Sequence, residues 1–332
     1  MSAVTLQAQR LSYFGKLPAR GDFVKGVYNP QLLEVLDKWL SSAMELLSED
    51  PRWKLIYDEL PALRFICLGS RNSLAIAGHV CASRDASLRR YPFVTAVPLD
   101  VKAPLEFMGG APLLLDECWH RMERGVDELI SCAESDLDLK RFENTELAVE
   151  TAFGEAAQYA AYDRFLKENS LLRIEQMLNA GGPQVSVRRL ILAIGLLLQP
   201  VMTSAASYLE KGLSLPLPRN PVFQPLVAAY WLDLIAPFFA NADFELVIFV
   251  CSINDRPRLV VGFNGLSPRS LQAVIHPQVY AQQNIEIDNA EWVEDNLHGS
   301  HEIYRLVSYL DQPQLPLRII LDAFREVFNA GG

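Results

Sequence analysis

Cysteine and histidine are scarce in this chain, five of each in 332 residues, and the scarcity narrows its chemistry. Cys67, Cys81, Cys118, Cys132 and Cys251 are odd in number and far apart, so they form neither a disulfide framework nor a CxxC metal pattern. The signatures of common catalytic centres are missing too: no GxSxG elbow, no P-loop, no GxGxxG after a strand and no HExxH. A basic surplus is absent. Forty acidic residues against thirty basic ones leave a formal net charge of −10, which argues against a general nucleic-acid binder. No apolar run reaches membrane-spanning length: the longest, Leu190–Leu198, is about half a span and is closed by Arg188-Arg189 and Gln199-Pro200, so it reads as a buried helix. Residues 1–9 show no positively charged region followed by an apolar core. The expectation is a cytoplasmic protein with no cofactor or metal, no nucleic-acid partner and no direct membrane insertion.

What the chain does contain is an ordinary globular balance, 50% hydrophobic and 21% charged, at a length sufficient for two domains. The charge is uneven. Residues 10–25 hold four basic groups and one acid, while residues 127–150 hold eight acids and two bases. Such faces either steer a partner or serve as solvated surface. Within the basic stretch, Phe14 to Phe23 reads FGKLPARGDF. Gly15 and Gly21 permit unusual backbone angles, Pro18 fixes its own φ and pushes Leu17 into an extended conformation, and Lys16, Arg20 and Asp22 add charge. This is a shaped loop.

The pattern along the chain predicts an α+β fold: a mostly antiparallel sheet flanked by helices, with a further α/β region at the C-terminal end. A short strand, Leu11–Phe14, enters the loop. Asn29-Pro30 then starts a helix, with Leu32, Leu36, Trp39, Ala43 and Leu47 on one face. Ala62–Leu68 and Leu74–Cys81 read as strands joined by Gly69-Ser70-Arg71-Asn72, and Tyr91–Leu99 as a third. Helices are expected over Pro112–Cys132 and Leu137–Lys167, and over Gln184–Lys211 with kinks at Gly195 and Pro200. Leu213–Pro225, rich in proline, reads as a connector. After it come an apolar helix over Leu226–Phe239, strands over Phe244–Ser252 and Arg258–Phe263 around a five-residue connection (Ile253 to Pro257), and a last helix over Leu317–Phe328.

The run from Tyr13 through Gly15, Lys16, Leu17, Pro18, Ala19, Arg20, Gly21, Asp22 and Phe23 to Val24 resembles the opening signature of the TagF family, also called ImpM. These are accessory proteins of bacterial type VI secretion systems. A second block, Arg89-Arg90-Tyr91-Pro92-Phe93, fits the same family. A third, Gly265-Leu266-Ser267, fits less closely, because the family shows Gly-Leu-Pro and Pro268 here comes one residue late. The resemblance covers roughly residues 10–165. It implies a TagF-like N-terminal α/β domain over residues 1–165; beyond it the residue pattern gives a helical segment plus a C-terminal hairpin-containing region over 166–332, with packing as a second domain left open. It also implies a non-enzymatic post-translational repressor that binds an FHA-domain scaffold protein and keeps it from nucleating the secretion apparatus.

Candidate partner-binding residues are Lys16, Arg20, Asp22, Arg89 and Arg90. Asp22 either caps Phe23 or pairs with Arg20, or it contacts a partner. Arg89 and Arg90 suit pairing with Asp22, or a carboxylate or phosphate on a partner. The alternative is an enzyme or small-ligand binder using a cleft beside this loop, with Arg20, Asp22 and His79 as its polar groups. His79, in an apolar strand, reads first as a satisfied histidine. His298 and His301, beside Glu302, are the only histidine pair near ligand spacing, and a metal there needs a further ligand from elsewhere.

Overall fold

A computed structural model describes residues 4–5, 9–26, 28–131, 136–143, 146–147, 152–181, 184–203, 209–297 and 301–329. Its centre is a ten-stranded sheet. Chain order gives β1 (Val4–Thr5), β2 (Gln9–Arg10), β3 (Ser12–Gly15), β4 (Val24–Gly26), β5 (Leu63–Gly69), β6 (Leu74–Cys81), β7 (Phe93–Val101), β8 (Glu146–Leu147), β9 (Gly212–Pro216), β10 (Glu245–Ile253), β11 (Arg256–Gly262) and β12 (Asn284–Glu286). Across the sheet the order is β12-β9-β11-β10-β5-β6-β7-β3-β4, with β1 also on β7, while β2 and β8 pair separately. Every pairing is antiparallel except β12 with β9. The fold is therefore α+β with a mostly antiparallel sheet. The sheet also crosses residue 165, because β10 lies against β5 with Glu245 opposite Gly69 and Val250 opposite Arg64.

Helices cover both faces. On one lie α1 (Pro30–Ser48) and α2 (Trp53–Asp58), and from the C-terminal half α10 (Pro268–Ile275) and α11 (Pro277–Gln283). The Asn-Pro start of α1 works as its chemistry dictates: the Leu32 N–H donates to Asn29 Oδ1 at 3.0 Å and Pro30 takes the first turn. Leu32, Leu36, Trp39, Leu40, Ala43 and Leu47 are buried against Phe65, Phe249 and Val260 of the sheet. The Trp39 indole N–H donates to the Ser267 carbonyl at 3.1 Å, which ties this helix to the C-terminal half.

The other face carries α3 (Pro104–Leu114), α4 (Asp116–Ser131), α5 (Asp136–Glu143), α6 (Ala152–Glu168), α7 (Leu171–Asn179), α8 (Val187–Thr203), α9 (Gln224–Ile235), α12 (His301–Leu310) and α13 (Leu317–Asn329). One described helical stretch, Pro221–Phe239, has the length and apolarity to cross a membrane; 61% of it is buried, in the core beside α3 and α8.

Several expected elements differ. The helix expected over Pro112–Cys132 is two, because the chain turns at Leu115, and Pro112 lies inside α3 rather than starting a helix. Residues 107–112 are buried all round, so no polar face marks the period there. The helix expected over Leu137–Lys167 is α5, the short strand β8 and α6, and Cys132 lies outside the described residues. Of the helix expected over Gln184–Lys211, the described residues show α8 over Val187–Thr203, and residues 209–211 are not helical. The proline-rich connector hides β9, whose five residues are all buried and whose proline sits at the strand end, where a missing N–H is tolerated. The five-residue connection between β10 and β11 is a two-residue turn: Asn254 and Asp255 take φ of +50° and +59°, as a tight hairpin turn requires, and Arg256 already pairs with Ile253.

Candidate functional site

The two sequence blocks meet in space. Gly15 ends β3 with φ of +145°, and a Cβ there would lie 2.3 Å from the Pro92 carbonyl oxygen and 2.7 Å from Phe93 Cα. Only glycine lets this strand end lie so close to the start of β7. Past it, Pro18 occupies the second position of a turn closed by the Arg20 N–H donating to the Leu17 carbonyl at 3.0 Å. Gly21 differs from Gly15: a Cβ on it would meet open space.

Asp85 fastens the two loops together. It is 1% exposed. Its carboxylate accepts from the backbone N–H of Ser87 (3.0 Å) and of Arg89 (2.9 Å), and from Arg89 Nε (2.7 Å). Lys16 Nζ, itself buried, reaches it at 3.0 Å. Burial alone raises the pKa of such an acid, but these donors outweigh it and hold Asp85 well below the usual carboxylate range. Three further bonds lace the loops. Ser83 Oγ donates to the Lys16 carbonyl at 2.6 Å, the Ala86 N–H to the Arg20 carbonyl at 2.7 Å, and Arg89 Nη2 to the Gly21 carbonyl at 2.7 Å.

An aromatic trio backs this face. The Phe23 ring stacks on Phe14 at 5.2 Å and meets Tyr91 edge-on at 4.8 Å, with the Lys16 ammonium 5.1 Å from its centroid. The Tyr91 hydroxyl hydrogen-bonds Ser41 Oγ on α1 at 2.9 Å. Beneath, the Tyr57 hydroxyl donates to the Ser83 carbonyl and accepts from the Ser83 N–H, both at 2.9 Å.

The expected site residues therefore have different places. Lys16 is enclosed by Asp85 and Phe23. Arg89 pairs with Asp85, and Arg90 forms a two-pronged pair with Asp58 at 2.7 and 2.6 Å, so neither arginine pairs with Asp22. Asp22 is exposed and its Oδ1 accepts from the Phe23 N–H at 2.8 Å, the local capping bond. Arg20 and Asp22 line an open groove of about 670 Å³ with Tyr13, Phe23, Lys25 and Leu139. His79 lines none of it. It is 2% exposed on β6, in a row with Arg64 and Thr95 on the adjacent strands, and neither of its ring nitrogens has a hydrogen-bond partner. Arg64 in that row is bound to Glu123 (2.6 Å) and Asp116 (3.1 Å) of α4. Among the metal candidates, His298 lies outside the described residues and His301 begins α12, exposed. Sequence reasoning missed Asp85, although an aspartate two residues before Ser87 and four before Arg89 has the spacing of a side chain that caps its own loop.

Residues 12–149, which contain both blocks, match the TagF N-terminal domain, type VI secretion system-associated. The match spans 138 of the chain's 332 residues. The signature loop and the second block, both within the matched residues, are the two stretches of chain that Asp85 holds together. The Gly265-Leu266-Ser267 block lies beyond the matched residues. A crystal structure of PA0076 from Pseudomonas aeruginosa PAO1 is 22% identical over 45% of this chain and 77% of that one, with a TM-score of 0.32. No curated protein matches the chain.

Proposed function

We propose that the protein is a non-enzymatic, post-translational repressor of a bacterial type VI secretion system, working in the cytoplasm by binding an FHA-domain scaffold protein and occupying the surface through which that scaffold nucleates assembly. The observation that carries this reading is the match to the TagF N-terminal domain, with its two signature blocks laced into one rigid, partly exposed face. Repression by occupancy calls for a preorganised surface rather than a reactive group, and rigidity lowers the ordering cost of binding. The catalytic alternative needs His79 beside Arg20 and Asp22, and the histidine is enclosed under α4 instead.

The test is capture. Purified protein is expected to retain the FHA-domain protein of its own gene cluster, and Arg20→Ala with Asp22→Ala to weaken that capture at unchanged melting temperature. Deleting the gene is expected to raise secretion. Unchanged secretion on deletion, or turnover of a phospho-substrate without capture, sinks the reading.

A further inference from the structure

Leu88 is the anomaly of the two-loop face. Its φ of +63° places it in the left-handed region, which is disfavoured for a residue with a Cβ, and its side chain is 62% exposed. The other described non-glycine residues with positive φ, Asn254 and Asp255, are short polar residues of a hairpin turn, where that conformation is ordinary. Leucine thus takes an unfavourable backbone state here and gains no burial in exchange.

What holds it there is Asp85. The Leu88 N–H donates to the Asp85 carbonyl at 2.9 Å and the Asp85 N–H to the Arg89 carbonyl at 3.1 Å. The Asp85 carboxylate accepts from Ser87 and Arg89, the residues on either side of Leu88. Asp85 is fixed in turn by Lys16 of the signature loop. Strain of this kind persists only where the surroundings over-determine it, and it gathers at binding sites. The setting is cationic within an acidic chain of net charge −10. Arg84 is exposed and its charge reaches the Asp58 carboxylate, the Arg89 side chain is 61% exposed beyond its bond to Asp85, and the facing loop carries Arg20 beside the exposed Asp22.

We infer that Leu88 is a preorganised apolar anchor that inserts into an apolar pocket rimmed by carboxylates on the partner protein. The inference rests on the regulator reading above. A shaped loop that projects one apolar side chain between Arg84 and Arg89 is complementary to such a pocket, and the rim charges steer the encounter.

The test sets stability against binding in Leu88→Asn. Asparagine enters the left-handed region more readily, so the variant is expected to melt at or above the wild-type temperature. Its affinity for the purified FHA-domain scaffold is expected to fall about ten- to hundredfold, the loss for one apolar anchor withdrawn from its pocket. Arg84→Glu is expected to weaken binding and flatten its salt dependence at unchanged melting temperature. Wild-type affinity in Leu88→Asn overturns the inference and leaves the regulator reading standing. A lowered melting temperature overturns it as well, by making Leu88 a structural residue. No binding by the wild-type protein removes the reading and, with it, the inference.

Discussion

Two glycines of one ten-residue motif should respond very unequally to the same substitution. In Gly15→Ala the new Cβ would lie 2.3 Å from the Pro92 carbonyl oxygen, about 1 Å short of the 3.4 Å at which ordinary contact begins, and the three nearest atoms, all inside that limit, belong to backbone. Relief requires β3 to move off β7, which breaks the pairing of Phe14 with Val94 next door. The left-handed φ adds about 1–3 kcal/mol of strain for a non-glycine residue, and forced overpacking about the same again. The expected loss is therefore about 2–6 kcal/mol, a large share of the ~5–15 kcal/mol that holds a domain folded. In Gly21→Ala the Cβ enters open space without a left-handed φ, so the change should stay within about 0.5 kcal/mol. Urea unfolding followed by tryptophan fluorescence measures both. Equal losses in the two variants, or a Gly15→Ala protein as stable as the wild type, would refute the reasoning.

Three more outcomes follow from the same contacts. Tyr57→Phe removes a hydroxyl that both donates to and accepts from Ser83; the Ser83 carbonyl keeps the Tyr91 N–H, but the buried Ser83 N–H loses its partner, so the change should destabilise by about 1–3 kcal/mol in the same unfolding assay. Trp39→Ala empties a site against Phe65 and Phe249 and removes the indole bond to the Ser267 carbonyl, with an expected loss of about 3–5 kcal/mol. Burial lowers the His79 pKa below its ordinary 6.5; Glu123 and Asp127 pull it up without offsetting burial, and Arg64 pushes it further down. The folded state therefore binds this proton less readily than the unfolded state, so stability should fall as pH drops below 6.5, with a slope of up to about 1.4 kcal/mol per pH unit from this group. Unfolding measured between neutral and mildly acidic pH should show a shallower decline in His79→Leu. An identical decline would remove His79 as a cause.

How far the chain could be read beforehand depended on whether local signals were two-sided. The first helix was legible because Asn29-Pro30 marks its start and polar residues separate Leu32, Leu36, Trp39, Ala43 and Leu47. The paired strands β5 and β6 were legible from β-branched and aromatic runs on either side of a glycine-bearing turn. Legibility failed where an element is buried on every side. The helix α3 has no polar face, and β9 is buried throughout with a proline at its end, so period and propensity both misled there. At the site, the motif glycines and charges were visible because they are chemically conspicuous. Asp85 was not, because its role depends on Lys16, which is 69 positions away in the chain and 3.0 Å away in space. Leu88 carries no local sign at all, since nothing about a leucine between serine and arginine announces a left-handed backbone.

The most direct measurement is an isothermal titration of the FHA-domain scaffold from the same gene cluster with the purified chain. A saturable interaction at about micromolar Kd or tighter is expected, weakened in Leu88→Asn and retained in Gly21→Ala. No detectable interaction with a correctly folded wild-type protein would contradict the assignment of this face to scaffold binding.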